Sequence, residues 1–177
     1  RESRTVRFSI NALVADFTLS DFGEFMPLST SVSRRLLHRR DVQCWGYRRE
    51  DGLWDIEGRM TDVKTYPFPN EDRGGAIQAG EPLHAMWIRL TVDDRFVIHD
   101  VEACADATPF NLCPAVANCY RQLIGVQIGP GWSLKLKELF SGVQGCTHMT
   151  ELLGPIATTM FQSLYGQRYD EDYAKPA

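Results

Sequence analysis

Apolar positions recur with a period of two through the first half of the chain and with a helical period in the last third. In HAMWIRLTV (84–92), Met86, Ile88, Leu90 and Val92 share one face, the spacing of a half-buried strand. The same alternation puts Trp54, Ile56 and Met60 together in LWDIEGRMTDVKTY (53–66). DVQCWGYRR (41–49) and RFVIHDVEA (95–103) complete four predicted strands. Asp51-Gly52 predicts a hairpin turn, and the tight link at Asp93-Asp94 a second. Connections this short make neighbouring strands antiparallel. The stretch from Pro67 to Gly80 is rich in Pro, Gly and charge and reads as a loop.

After Asp106 the period changes. NLCPAVANCYRQLIG (111–125) reads as a helix, with Pro114 suited to its first position and Gly125 to its end. GVQIGPGW (125–132) has no nucleotide-binding spacing of glycines and reads as a turn between helices. GWSLKLKELFSG (131–142) is a short predicted helix. HMTELLGPIATTMFQSLYG (148–166) is a longer one, with Leu152, Leu153, Ile156 and Met160 at helical spacing and a kink expected at Pro155. Strands followed by helices define an α+β fold: an antiparallel β-meander with C-terminal helices packed on one face. The expected organisation is a lead-in segment (1–33), one α+β domain (34–166) and a polar tail (167–177). TVRFSI in the lead-in alternates like a strand.

Composition narrows the function classes. At 177 residues and 44% hydrophobic, the chain supports one substantial core. A net charge of -4 argues against a nucleic-acid partner. No apolar run is long enough for a membrane span. Five cysteines, odd in number and irregular in spacing, argue against a disulfide framework and for a reducing cytoplasm. The chain opens on Arg1, which fits a lost natural beginning.

Strand parity then singles out polar residues on the apolar face. His84 has the parity of Met86 and Ile88, and Asp62 and Lys64 have that of Ile56 and Met60. An inward carboxylate and ammonium read as an ion pair, a substrate clamp or an acid–base pair, or lie in water if the strand end frays. Asp55 and Glu57 have the opposite, solvent-facing parity. Cys113, just before Pro114, is an expected N-cap. Cys146 is expected just before a helix capped by Thr147, with His148 in its first turn. Cys44, Cys104 and Cys119 read as small packed residues, and His38 and His99 carry weak claims. His84, Cys113, Cys146 and His148 together form a donor set suited to zinc or iron.

The runs YRREDGLWDIEGRMTDVK, GEPLHAMWIRLTVDD and GCTHMTELLGPIATTMFQ resemble a bacterial family of uncharacterised proteins over about residues 34–166. That resemblance implies no activity. AGEPLHAMWIRLTVDDRFVIHDVEACADATPFNLCPAV followed by GCTHMTELLGPIA is similar in layout to iron–sulfur cluster assembly scaffolds of the NifU N-terminal type, over about residues 79–165. The likeness implies an antiparallel sheet backed by helices. It sets the scaffold's helix-start cysteine on Cys113, its last cysteine on Cys146 beside His148, and its aspartate on His84. Its first cysteine falls on Pro82, which cannot ligate. Two thiols in place of three point away from cluster assembly and toward a single ion or a metal-free Cys/His pocket.

Three functions are compatible with these residues. The first is a metal-binding protein, an enzyme on a small acidic or aromatic compound, with Asp62 and Lys64 beside the ion. The second is a cofactor-free lyase, decarboxylase or hydrolase built on a Cys/His or Asp/Lys pair. The third is a non-catalytic scaffold, subunit or accessory protein using Trp45 and Tyr47 at an interface, while the lead-in segment either packs on the body or makes a homo-oligomer contact. In the plainer alternative those two aromatics cover the second face of the sheet.

Overall fold

A computed structural model describes residues 28–111 and 116–173, with side chains as far as Gly166. The chain divides into two units, Arg1–Arg35 and Leu36–Ala177. The described residues of the first, 28–35, are exposed and form no helix or strand. The expected strand TVRFSI lies outside the described residues.

In the second unit, strands β1 (His38–Arg48), β2 (Trp54–Lys64), β3 (Phe68–Asn70), β4 (Gly75–Ile77), β5 (Pro82–Val92) and β6 (Ile98–Ala107) precede helices α1 (Trp132–Phe140) and α2 (Thr147–Tyr173). β1, β2, β5 and β6 form one antiparallel sheet in that order, the expected meander. β3 and β4 pair as a small hairpin inside the segment read as a loop. Gly52 takes a positive φ of 85° in the β1–β2 turn, as the Asp-Gly signal required. At the β5–β6 turn, Asp93 Oδ1 accepts from the backbone N–H of Arg95 and Val97 at 2.9 and 3.0 Å. Those bonds hold residues 93–97 in the turn, so β6 begins at Ile98 rather than Arg95.

Strand alternation buries Trp54, Ile56, Met60, Met86, Ile88, Leu90 and Val92 on one face, against Met149, Leu152, Leu153, Ile156 and Met160 of α2. Each such side chain contributes about 1.5–3 kcal/mol by leaving water. Two strand glycines set how closely α2 lies. A Cβ at Gly58 would stand 2.7 Å from Ile156 Cδ1, and one at Gly46 would collide with Ser163 Oγ. α2 runs unbroken through Pro155, where a kink was expected, and continues into the segment expected to be a polar tail.

The region 111–125 departs from expectation. Over Ala117–Leu123 it is a 3₁₀ helix, not an α-helix. Its buried residues, Ala117, Tyr120 and Leu123, are spaced by three, so a three-residue turn aligns all of them on the core. The following turn adds to the sheet margin, where Ile98 N–H donates to Val126 O at 3.0 Å and Gly125 N–H to Ile98 O at 2.7 Å.

The other face of the sheet carries Trp45 and Trp87, stacked with centroids 6.2 Å apart, and the Arg59 guanidinium 5.0 Å from the Trp87 ring. Asp55 and Glu57 lie on this side, paired with Arg49 and Arg89. Among the described residues, no helix is long and apolar enough to cross a membrane.

Candidate functional site

The end of the sheet where β1 and β5 start and β2 finishes collects the polar residues of the inner face. Asp62, near the end of β2, is cross-strand partner to Arg40 on one side and His84 on the other. All three therefore point toward α2, whose first turn carries His148. Asp62 is 1% exposed and accepts four N–H contacts. Arg40 Nε and His38 Nε2 reach Oδ1 at 2.8 and 3.0 Å, and Arg40 Nη2 and His84 Nδ1 reach Oδ2 at 2.8 and 3.0 Å. Arg40 Nη1 also donates to Glu151 Oε2 on α2 at 2.6 Å, tying the helix to the sheet edge.

Burial alone would raise the Asp62 carboxyl, but the donors of Arg40 and His38 outweigh it and hold the group at about 2. The reverse holds at His84, where burial and the neighbouring His148 push the imidazole pKa down against the pull of Asp62. A neutral His84 beside an acceptor-only carboxylate carries its proton on Nδ1, which leaves the Nε2 lone pair free. Nε2 takes no hydrogen-bond partner among the described residues. The His84 and His148 rings lie with centroids 3.8 Å apart, tilted by 31°.

Cys146 Sγ is 4.0 Å from His148 Nδ1. Thr150 N–H donates to Cys146 O at 2.9 Å, the first helical bond of α2, so Cys146 is itself the N-cap in place of Thr147. Burial raises its thiol pKa, but His148 and the backbone N–H groups of His148 and Met149 bring it below the usual value. The same contact raises His148, against the effect of burial. Tyr120 fixes this corner from below: its hydroxyl donates to Cys146 O at 2.8 Å and accepts from Cys146 N–H at 3.0 Å. Burial pushes that phenol up to about 12.

The fold thus brings Asp62, His84 and His148 to one place, with Cys146 beside His148. Cys113 lies outside the described residues. Lys64 keeps the inner-face parity of Asp62 but forms no ion pair with it, and its Nζ meets Tyr66 Oη at 3.2 Å. Two partners, Arg40 and Tyr120, escaped the sequence reading, and His38 carried only a weak claim there. His38 and Arg40 precede the segment read as a strand, yet parity carried back from Cys44 through Val42 puts both on the inner face. Nothing in the sequence marked Tyr120.

One ligand atom from each of Asp62, His84 and His148 lies within 4.8 Å of the other two, close enough to surround a metal ion. The profile of a family described as "Protein of unknown function (DUF2889)" matches residues 38–162. The chain belongs to that family. The DUF2889 region begins at His38 and takes in every residue of the cluster. No curated protein and no solved structure matches the chain, so the likeness to iron–sulfur scaffolds rests on the quoted motifs alone.

Proposed function

We propose that the DUF2889 domain binds a single zinc or iron ion through His84 and His148, with Cys146, 4.0 Å from His148, drawn in as the third donor on binding. The observation that carries this reading is the His84–Asp62 contact. A carboxylate bonded to one imidazole nitrogen fixes the tautomer and aims the other nitrogen, as at histidine metal ligands generally. Asp62 is the orienting group in this arrangement, not a ligand. A carboxylate has about four lone-pair directions, and four N–H contacts occupy them. The same saturation, with a pKa of about 2, removes Asp62 as a proton donor or acceptor near neutral pH. A thiolate and two imidazoles are borderline donors that suit zinc and ferrous iron over magnesium or calcium.

Three protein donors leave a coordination position open, the condition for a catalytic site; Cys113 as a fourth would close it into a structural one. With the position open, a bound ion supplies Lewis acidity to a carbonyl or a water, which fits a small lyase or hydrolase. Metal analysis of the purified protein tests the reading. Stoichiometric zinc or iron is expected, lost in His84→Ala and Cys146→Ser, while Cys113→Ser distinguishes the open from the closed site. A native protein that contains no metal and takes up none on zinc titration overturns it.

A specific observation favours one rival. Cys146 at a helix N-terminus, with its pKa lowered beside a raised His148, is also the arrangement of a metal-free nucleophilic thiolate. Alkylation rates at neutral pH separate the two. Fast, selective labelling of Cys146 that added zinc does not suppress supports the metal-free pocket.

A further inference from the structure

Beyond the cluster, the inner face of the sheet ends in residues of a different chemistry. His38 and Lys64 are cross-strand partners at the ends of β1 and β2, one pair beyond Arg40 and Asp62 on the same face. Opposed side chains in such a pair stand roughly 5 Å apart at Cβ. A bulge at Leu83 shifts the β2–β5 register just past Asp62 and His84, but the β1–β2 register stays regular. His38 and Lys64 thus stay in regular register beside Arg40 and Asp62, while β5 pairs on with β2 only as far as Pro82, opposite Val63. His38 is 38% exposed and Lys64 is half-buried, so both are reachable from solvent.

The two inner-face cations at this end are used differently. Arg40 is consumed by Asp62 and Glu151. Lys64 has no carboxylate partner among the described residues. Its Nζ lies 5.1 Å from the Tyr66 ring centre and 5.3 Å from that of Phe68, with the Tyr66 hydroxyl at 3.2 Å. The ammonium is flanked by aromatic walls and is not neutralised by an acid.

We propose that Lys64 seats the carboxylate of a small aromatic acid at this end of the sheet, with the ring against Tyr66 and Phe68 and the remaining substituents turned toward the inner-face cluster. The idea deepens the metal-site reading, resting on it for the reaction though not for the binding. One point-like ammonium matches a monoanionic carboxylate; a phosphate dianion calls for a guanidinium fork or several converging donors. Two rings beside the charge add offset or edge-to-face contact with an aromatic ligand.

Benzoate is the probe, titrated into the protein as purified and after zinc loading, by calorimetry. Benzyl alcohol, acetate and inorganic phosphate serve as comparisons, and metal content is measured on every sample. Saturable benzoate binding is expected, with acetate and benzyl alcohol each much weaker. Lys64→Gln, checked for native folding by circular dichroism, should weaken benzoate by at least roughly ten-fold at unchanged metal content. Equal benzoate affinity in the variant, no binding to the wild type, or a preference for phosphate overturns the proposal. Benzoate held through Lys64 by a protein that never takes up metal would keep this proposal and sink the metal site.

Discussion

Replacing Asp62 by asparagine tests the organising role of that carboxylate. The substitution keeps the shape and removes the charge. One of two acceptor oxygens becomes an NH₂ donor, so at least one pair of the four N–H contacts now faces another donor. Arg40 is left with Glu151 alone. Breaking a buried ion pair from one side costs about 3–5 kcal/mol, and the partial exposure of Arg40 places this case near the lower figure, about 3 kcal/mol. For a domain of this size that is a fall in Tm of roughly 10 °C. Linkage gives an independent handle. The folded carboxyl sits at about 2 against an ordinary 3.8, a difference worth about 2 kcal/mol. Because the folded value is the lower, this stability is complete above pH 3.8 and lost as pH falls through 2. Urea unfolding of wild type and Asp62→Asn, with a chelator present so that only protein groups titrate, should show a gap of about 3 kcal/mol at pH 7 that narrows by about 2 kcal/mol toward pH 2. A gap below about 0.5 kcal/mol, or one that does not change with pH, would refute the reasoning.

Cys146→Ser should leave stability within about 1 kcal/mol, since serine is a good N-cap, while abolishing metal retention and the fast, selective phase of thiol labelling; urea midpoints and metal analysis read the two separately. Tyr120→Phe removes the hydroxyl that holds both backbone groups of Cys146 and should cost about 1–3 kcal/mol in urea unfolding, with faster amide exchange in the first turn of α2. Gly58→Ala drives a methyl into Ile156 and should cost about 1–3 kcal/mol, part of which a simultaneous Ile156→Val recovers; full stability in the single variant would show that α2 can shift outward freely.

The sheet was legible because its strands are half-buried. Alternation fixes which residues face the helices, and the Asp51-Gly52 and Asp93-Asp94 links fix the order. The 3₁₀ segment was not, because Ala117, Tyr120 and Leu123 lie close enough to helical spacing to pass for one face of an α-helix. The β3–β4 hairpin was hidden for a different reason: strands of three residues are too short to display a period.

The cluster shows where such reading stops. Parity assigned Asp62, His84 and Lys64 to one face but could not assign depth, and depth separates them. Asp62 is sealed between two neighbouring strands, whereas Lys64 lies where the β2–β5 ladder breaks its register. Arg40 was passed over, and His38 given only a weak claim, because charged residues at a strand start resemble a solvated end. A stricter use of the same physics reaches them. A carboxylate assigned to a buried position needs several donors, and on a central strand they must come from the strands on either side. His84 is the inward donor of β5. On β1 the requirement asks for basic residues of matching parity near the start of the strand, and HRR supplies two, His38 and Arg40, with Arg40 directly opposite Asp62. The demand of one buried charge for partners extends a strand by three residues and turns an isolated aspartate into a site.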